Sequence, residues 1–288
     1  MKVWLNGKLV DQQDANLSVL DHGTLYGDGV FEGIRIYNGR IFQCAAHVDR
    51  LFESAFKIRL PIEQTKQEIV DAMYETIAAN EITDGYIRLV LTRGAGTLGL
   101  SPFKCAHPST FIIADSIALY PQEMYDNGMA VIIAKTVRVS ANMLDPCIKS
   151  LNYLNNICAK IEAIDAGVAE AIMLNVRGNV AECTGDNIFI VKDGQVITPD
   201  TDSGILVGVT RGLVISLARE LGLTVTERSV TPDDLRSADE CFLTGTAAEV
   251  ISVTKIDDTT IGDGKVGEIT KKLLAAFKAF TTSDRAEG

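Results

Sequence analysis

The sequence predicts an α+β protein of two domains, and three observations carry that reading. Asn6-Gly7, Asn38-Gly39 and Asp193-Gly194 each lie between apolar, β-prone runs. Such pairs are the strongest short-range hairpin signal, because both residues tolerate the positive φ of a tight turn. Antiparallel sheet is therefore substantial. Segments with apolar residues at i, i+3, i+4 and i+7 lie between these hairpins and predict amphipathic helices. Strands and helices are mixed without βαβ regularity, and 288 residues suffice for two cores.

In chain order, MKVWLNGKLV reads as strand, turn and strand. Val48, Leu51, Phe52, Ala55 and Phe56 share one helical face, as do Ile69, Met73 and Ile77. Strands at Tyr86–Thr92 and Phe111–Ala114 close a first unit. The stretch SIALYPQEMYDNG around Pro121 then has the turn-formers of a connection. The expected division is 1–118, a connection at 119–127, and 128–288. The second domain opens with a strand at Val131–Ala134. It continues with a helix bearing Leu154, Ile157, Ile161 and Ile164 on one face, and closes with one bearing Ile269, Leu273, Leu274 and Phe277. The polar tail Thr281–Gly288 is expected to fray.

Hydrophobic residues make up 47% and charged residues 23%, which is ordinary for a globular chain. The net charge of -11 repels nucleic acid and anionic membrane surfaces, so neither is an expected partner. No apolar run approaches membrane-spanning length, and the N-terminus lacks the basic region and apolar run of a secretory signal. The six cysteines form no CxxC pair and only three histidines exist, so no metal site is expected. The cysteines read as buried thiols in a reducing cytoplasm. Cys147 and Cys183 lie near the chemistry-bearing motifs, which leaves a reactive role open for either.

Those motifs are AECTGDNIF with Glu182 near its head, VGVTR at Val207–Arg211, GTAA at Gly245–Ala248, and CIKSLNYLNN around Lys149. A lysine that attacks a carbonyl must spend part of its time neutral, and the largely apolar Met143–Ile148 stretch before Lys149 suits that. Alone, Lys149 reads more readily as a surface lysine before a helix, and its neighbours change that reading. Glu182 suits a protonated ring nitrogen, or merely starts a strand. Tyr153 lies one helical turn after Lys149 if the segment winds there, and otherwise is core. In VGVTR, Gly208 gives a permissive backbone and Thr210 a candidate N-cap, so a helix dipole would point positive charge at an anion over Val209 and Thr210. Thr246 adds a hydroxyl in the second small-residue turn. Arg50 offers a planar fork for phosphate, or a solvated ion pair.

Together Arg50, Lys149, Glu182, VGVTR and GTAAE resemble the fold-type IV aminotransferases nearly end to end. YGDGVFEGIR at Tyr26–Arg35 and GYIR at Gly85–Arg88 look like the branched-chain amino-acid members. The resemblance implies a D-amino-acid aminotransferase-like architecture, with a smaller N-terminal α/β domain, a larger C-terminal domain and pyridoxal 5'-phosphate between them. It implies Lys149 as Schiff-base lysine and proton shuttle, Glu182 on the pyridine nitrogen and Tyr153 on the phenolic oxygen. It places Arg50, Val209, Thr210 and Thr246 at the phosphate. Phe31, Gly33, Tyr86, Arg88 and Ala247 would meet substrate, with Arg88 or Arg35 receiving a distal carboxylate. Tyr26 would reach in from the partner subunit of a homodimer or higher homo-oligomer.

The implied reaction moves the amino group of leucine, isoleucine or valine to 2-oxoglutarate. Two relatives of the same fold compete with it: D-amino-acid aminotransferase, which shares the short segment between Lys149 and Tyr153, and aminodeoxychorismate lyase, which needs no second half-reaction. VFEGIR and YIR favour the branched-chain form. Cys183 stands after Glu182 where the family often has glycine.

Overall fold

A computed structural model describes residues 1–117 and 120–286. It divides into two compact units. One comprises Met1–Ile117, Ile148–Asn152 and the tail from Thr281, and the other holds the remaining segments, including Tyr153–Phe280. Two stretches expected in the second domain, 148–152 and the tail, thus belong to the first unit. The expected boundary residues 118 and 119 lie outside the described residues.

In the first unit, β1 (Lys2–Leu5), β2 (Lys8–Asp11), β3 (Gly29–Tyr37), β4 (Arg40–Ile41), β5 (Gly85–Thr92) and β6 (Ser109–Asp115) form one sheet in the order β2-β1-β6-β5-β3-β4. Every pairing in it is antiparallel. Asn6-Gly7 and Asn38-Gly39 make the β1–β2 and β3–β4 turns with positive φ at all four residues, as the hairpin signal requires. A short helix α1 (His22–Tyr26) precedes β3; α2 (Cys44–Lys57) and α3 (Lys66–Ala79) follow β4. A capping box between Thr65 and Glu68 starts α3.

Strand alternation sorts β3 into two faces. Val30, Ile34 and Ile36 join Ile87, Leu89 and Leu91 of β5 in the core beneath α2 and α3, which contribute Val48, Leu51, Ile69, Met73 and Ile77. Phe56, expected on the buried face of α2, is exposed instead. As far as Ala286 the C-terminal tail is held in place. Its Asp284–Ala286 turn is docked by the Gln43 N–H, which donates to the Ala286 carbonyl at 2.7 Å, while Arg40 Nη2 donates to that of Thr282.

In the second unit, the expected connection contains a helix, α4 (Gln122–Asn127). It is followed by β7 (Met129–Ile133), α5 (Leu154–Asp165), β8 (Glu170–Leu174), β9 (Val180–Cys183), β10 (Asn187–Lys192), β11 (Gln195–Thr198) and α6 (Val209–Glu220). The rest of the unit is β12 (Val225–Glu227), α7 (Pro232–Arg236), β13 (Glu240–Gly245), β14 (Glu249–Ile256), β15 (Thr259–Thr260) and α8 (Glu268–Thr281). The sheet runs β12-β11-β10-β13-β14-β7-β8-β9, with β15 beside β14. It is mixed, because β7 pairs in parallel with both β14 and β8, and β11 with β12. Asp193-Gly194 turns β10 into β11, again with positive φ at both residues.

The core of this sheet is aliphatic, from Val131, Ile172, Ile188, Ile190, Leu243 and Ile251 among others. On α5 the helix is where periodicity placed it, but the buried face is not. Asn156, Ala159 and Ala163 face inward, while Leu154, Ile157, Ile161 and Ile164 are at least half exposed. Small residues let α5 lie close to β8, where Ala159 and Ala163 cluster with Ala171 and Met173. The large residues are therefore left outside. The cysteines also depart from a uniformly buried set: Cys44, Cys183 and Cys241 are buried, Cys105 and Cys147 half-buried, and Cys158 exposed. No helix among the described residues is long and apolar enough to cross a membrane.

Candidate active site

In the first unit, the segment carrying Lys149 lies against the start of β3 as an extended strip. The Phe31 N–H donates to the Lys149 carbonyl at 3.0 Å and the Leu151 N–H to that of Gly29 at 2.9 Å, with Ser150 bridging to Val30. Ser54 of α2 accepts the Lys149 N–H at 3.2 Å. These bonds fix the lysine backbone and leave its ammonium 4.7 Å from the centroid of the Phe31 ring, within cation–π range.

Phe31, Gly33 and Arg35 occupy the β3 face opposite the helical core, with Gly33 paired to Arg88 and Arg35 to Tyr86. The Arg88 guanidinium lies 4.7 Å from the Phe31 ring and 5.6 Å from that of Tyr86. Gly33 is required here by close approach, since a Cβ would fall 1.8 Å from the Tyr86 hydroxyl. Tyr86 thus reaches across β3 only because position 33 has no side chain. Phe31, Gly33, Arg35, Tyr86 and Arg88 therefore share one patch with Lys149 beside it. Tyr26 ends α1, with its hydroxyl accepting the Gly99 N–H at 3.0 Å.

Behind this patch, on the core face of β3, stands a charge the sequence reading did not single out. Glu32 is fully buried between Val30 and Ile34. Arg50 donates to it from Nε and Nη2, each at 2.7 Å, and His47 donates from Nδ1 at 2.7 Å. Burial by itself would raise the Glu32 pKa, but the Arg50 charge and these hydrogen bonds overcome it and bring it to about 2. For His47 burial prevails over the attraction of Glu32 and lowers its pKa. One guanidinium already balances the carboxylate, so His47 stays neutral.

In the second unit, Glu182 sits on β9 with both carboxylate oxygens engaged. Arg138 Nε donates to one at 2.8 Å; the Leu206 N–H donates to the other at 2.9 Å, and Asn187 Nδ2 at 3.3 Å. Arg138 and Asn187 orient Glu182 and were not anticipated. Arg138 is an arginine just beyond a β-prone run, and nothing local marks its partner. Tyr153 is the N-cap residue of α5. The stretch from Lys149 to Tyr153 is not helical, which removes the expectation that one helical turn separates them.

The N-cap of α6 is Gly208 rather than Thr210, so Val209 and Thr210 are the first two helical residues, whose N–H groups have no intrahelical acceptor. Thr210 Oγ1 is buried without a hydrogen-bond partner among the described residues. Thr246 and Ala247 lie in the turn from β13 to β14. The two loops are tied to adjacent residues before and in β10. A Cβ on Gly208 would meet Asn187 Oδ1 at 2.1 Å, and one on Gly245 would meet Asp186 Oδ1 at 1.8 Å. An orphaned hydroxyl beside unpaired helix-start donors fits a phosphate. Burial pushes the Cys183 and Cys241 thiols up, which argues against reactivity at either.

The family model for class IV amino-transferases matches residues 29–256. The chain belongs to that family. A Methanocaldococcus jannaschii protein, provisionally named a branched-chain-amino-acid aminotransferase, is 50% identical over 282 residues, spanning 98% of this chain and 97% of its own. The crystal structure of the Escherichia coli branched-chain amino acid aminotransferase superposes with a TM-score of 0.96 at 34% identity, covering 99% of this chain and 96% of its own. A second branched-chain amino acid aminotransferase, that of T.th., was solved with pyridoxamine 5'-phosphate and gives a TM-score of 0.94 at 36% identity, covering 99% and 94%.

Proposed function

We propose that this protein is a branched-chain amino-acid aminotransferase that uses pyridoxal 5'-phosphate to move the amino group of L-leucine, L-isoleucine or L-valine to 2-oxoglutarate. The observation that carries the reading is Lys149, pinned by its backbone beside Phe31, Gly33, Tyr86 and Arg88 in a chain of this family. It is further supported by relatives named for that activity along nearly the whole chain.

When bound, the cofactor supplies an aldehyde and an electron-withdrawing ring. Lys149 offers the amine that holds it and then carries the substrate's Cα proton. Its fixed backbone brings the proton to one side only, so the handedness of the substrate follows from how its carboxylate is oriented. Glu182, oriented by Arg138, Asn187 and the Leu206 N–H, keeps the ring nitrogen protonated, and Tyr153 donates to the ring oxygen. Arg50, the N–H groups of Val209 and Thr210 and the hydroxyls of Thr210 and Thr246 bind phosphate.

Phe31 supplies an apolar wall for the aliphatic side chains. Gly33, Tyr86 and Ala247 shape the pocket, and Arg88 or Arg35 receives the distal carboxylate of the glutamate pair. We place the enzyme in the cytoplasm as a homodimer or higher homo-oligomer, with Tyr26 serving the partner's pocket. The exposed ridge of Leu154, Ile157, Ile161 and Ile164 on α5 supports self-association.

A panel of amino donors, both enantiomers included, against 2-oxoglutarate tests the reading. Turnover of the L-branched-chain acids supports it. Preference for D-donors, or release of pyruvate from aminodeoxychorismate without any transamination, would replace it with another activity of the same fold.

A further inference from the structure

Glu32 interrupts an otherwise aliphatic face. Its neighbours on that side of β3, Val30, Ile34 and Ile36, are fully buried in the core beneath α2 and α3, and so is Glu32 itself. A valine or isoleucine would suit the strand at that position. Desolvating a carboxylate and a guanidinium costs about as much as their pairing returns, so a buried pair of this kind is poor support for stability compared with a well-packed apolar set. A pair that adds so little to stability points to orientation.

The geometry shows what is oriented. Glu32 takes Arg50 through Nε and Nη2 in a two-pronged contact, which fixes the plane of the guanidinium as well as its position. His47, one helical turn before Arg50 on α2, donates to the Glu32 oxygen that also accepts from Arg50 Nη2, so the carboxylate cannot swing.

We infer that Glu32, braced by His47, is a positioning residue that sets the plane of the Arg50 guanidinium for the cofactor's phosphate. This rests on the proposed role of Arg50. Glu32 itself touches no reacting atom. Because the carboxylate cancels the arginine's charge, the anchor acts by direction, and its selectivity is for a phosphate oxygen in one place over anions at large.

The experiment compares pyridoxal 5'-phosphate with pyridoxal, which lacks the phosphate. Dissociation constants are measured by absorbance titration of the cofactor-stripped protein for the wild type, Glu32→Gln, Arg50→Met and the double variant. Glu32→Gln is expected to weaken pyridoxal 5'-phosphate about 10- to 100-fold, the range for a misdirected charge-assisted contact, with pyridoxal changed less than about twofold. In the Arg50→Met background the same change is expected to have almost no further effect.

Equal weakening of both ligands, or an undiminished effect without Arg50, would overturn the inference by making Glu32 a prop of the fold. Should Glu32→Gln not fold, Glu32→Asp keeps the balancing charge and shortens the arm by one methylene. It must show the same discrimination between the two ligands, and an unchanged ratio overturns the inference. Arg50→Met that binds the phosphate form as tightly as the wild type refutes the role of Arg50. A wild type that binds neither ligand refutes the aminotransferase reading itself.

Discussion

The Phe31 N–H donates to the Lys149 carbonyl at 3.0 Å, and the ammonium of the same lysine lies 4.7 Å from the Phe31 ring centroid. One strand residue thus fixes the lysine backbone and forms a wall beside its amine. Because the backbone bonds survive truncation, Lys149→Ala is expected to fold with a melting temperature within a few degrees of the wild type. Its transamination should fall by about 1,000-fold or more, in line with the loss of a proton carrier. Circular dichroism and a coupled leucine assay check both halves, and full turnover would remove Lys149 from the mechanism.

Gly33→Ala tests how the patch is shaped. The added methyl would lie 1.8 Å from the Tyr86 hydroxyl, so the ring must move. The expected cost is about 1–3 kcal/mol in urea unfolding, the usual range for overpacking. KM for leucine should rise more than kcat falls if Tyr86 lines the pocket, as proposed, and does no chemistry. An unchanged KM would take Tyr86 out of the substrate site.

What could be read in the sequence was whatever local chemistry decides. The three hairpins were legible because Asn-Gly and Asp-Gly fit turns of positive φ, and α3 because Ile69, Met73 and Ile77 repeat at helical spacing and are indeed buried. The spacing on α5 revealed the helix but not which side is inward, since periodicity registers an apolar stripe without saying what covers it. The pairing of the Lys149 strip with β3 was hidden because it joins segments far apart in the chain. Glu32, inside the recognised VFEGIR motif, escaped notice because a carboxylate in an apolar strand carries no sign of a partner eighteen residues later in Arg50. Nothing local separates Thr210 from Gly208 as the N-cap, since both residue types are acceptable there.

Arg138 is the buried partner of Glu182, its Nε 2.8 Å from a carboxylate oxygen. Arg138→Met is therefore expected to take the arginine's charge away from a buried carboxylate and destabilise the second unit by about 3–5 kcal/mol. Adding Glu182→Gln should recover part of that stability while leaving Cα–H cleavage slow. Calorimetry of the single and double variants checks the coupling. Strictly additive losses would show that the two side chains do not act as a pair.

The acid limb of stability should carry the mark of His47. Its pKa is lowered from 6.5 in the folded protein by burial, against the opposing pull of Glu32, and with Arg50 and Lys149 adding to the decrease. Above pH 6.5 neither state binds the proton and His47 contributes no slope. As pH falls through 6.5, the unfolded chain takes a proton that the folded chain refuses, and stability declines by up to about 1.4 kcal/mol per pH unit. Glu32 acts in the same direction lower down. Its contribution is intact above its ordinary 4.5 and is lost as pH falls through the folded value of about 2. Urea unfolding between pH 7 and 5 should therefore show a steeper loss for the wild type than for His47→Asn, since the variant lacks the group while His22 and His107 are common to both. Parallel curves would mean that the folded protein protonates His47 as readily as the unfolded chain does, and a wild type that gains stability toward pH 5 relative to the variant would mean that His47 is charged in the fold.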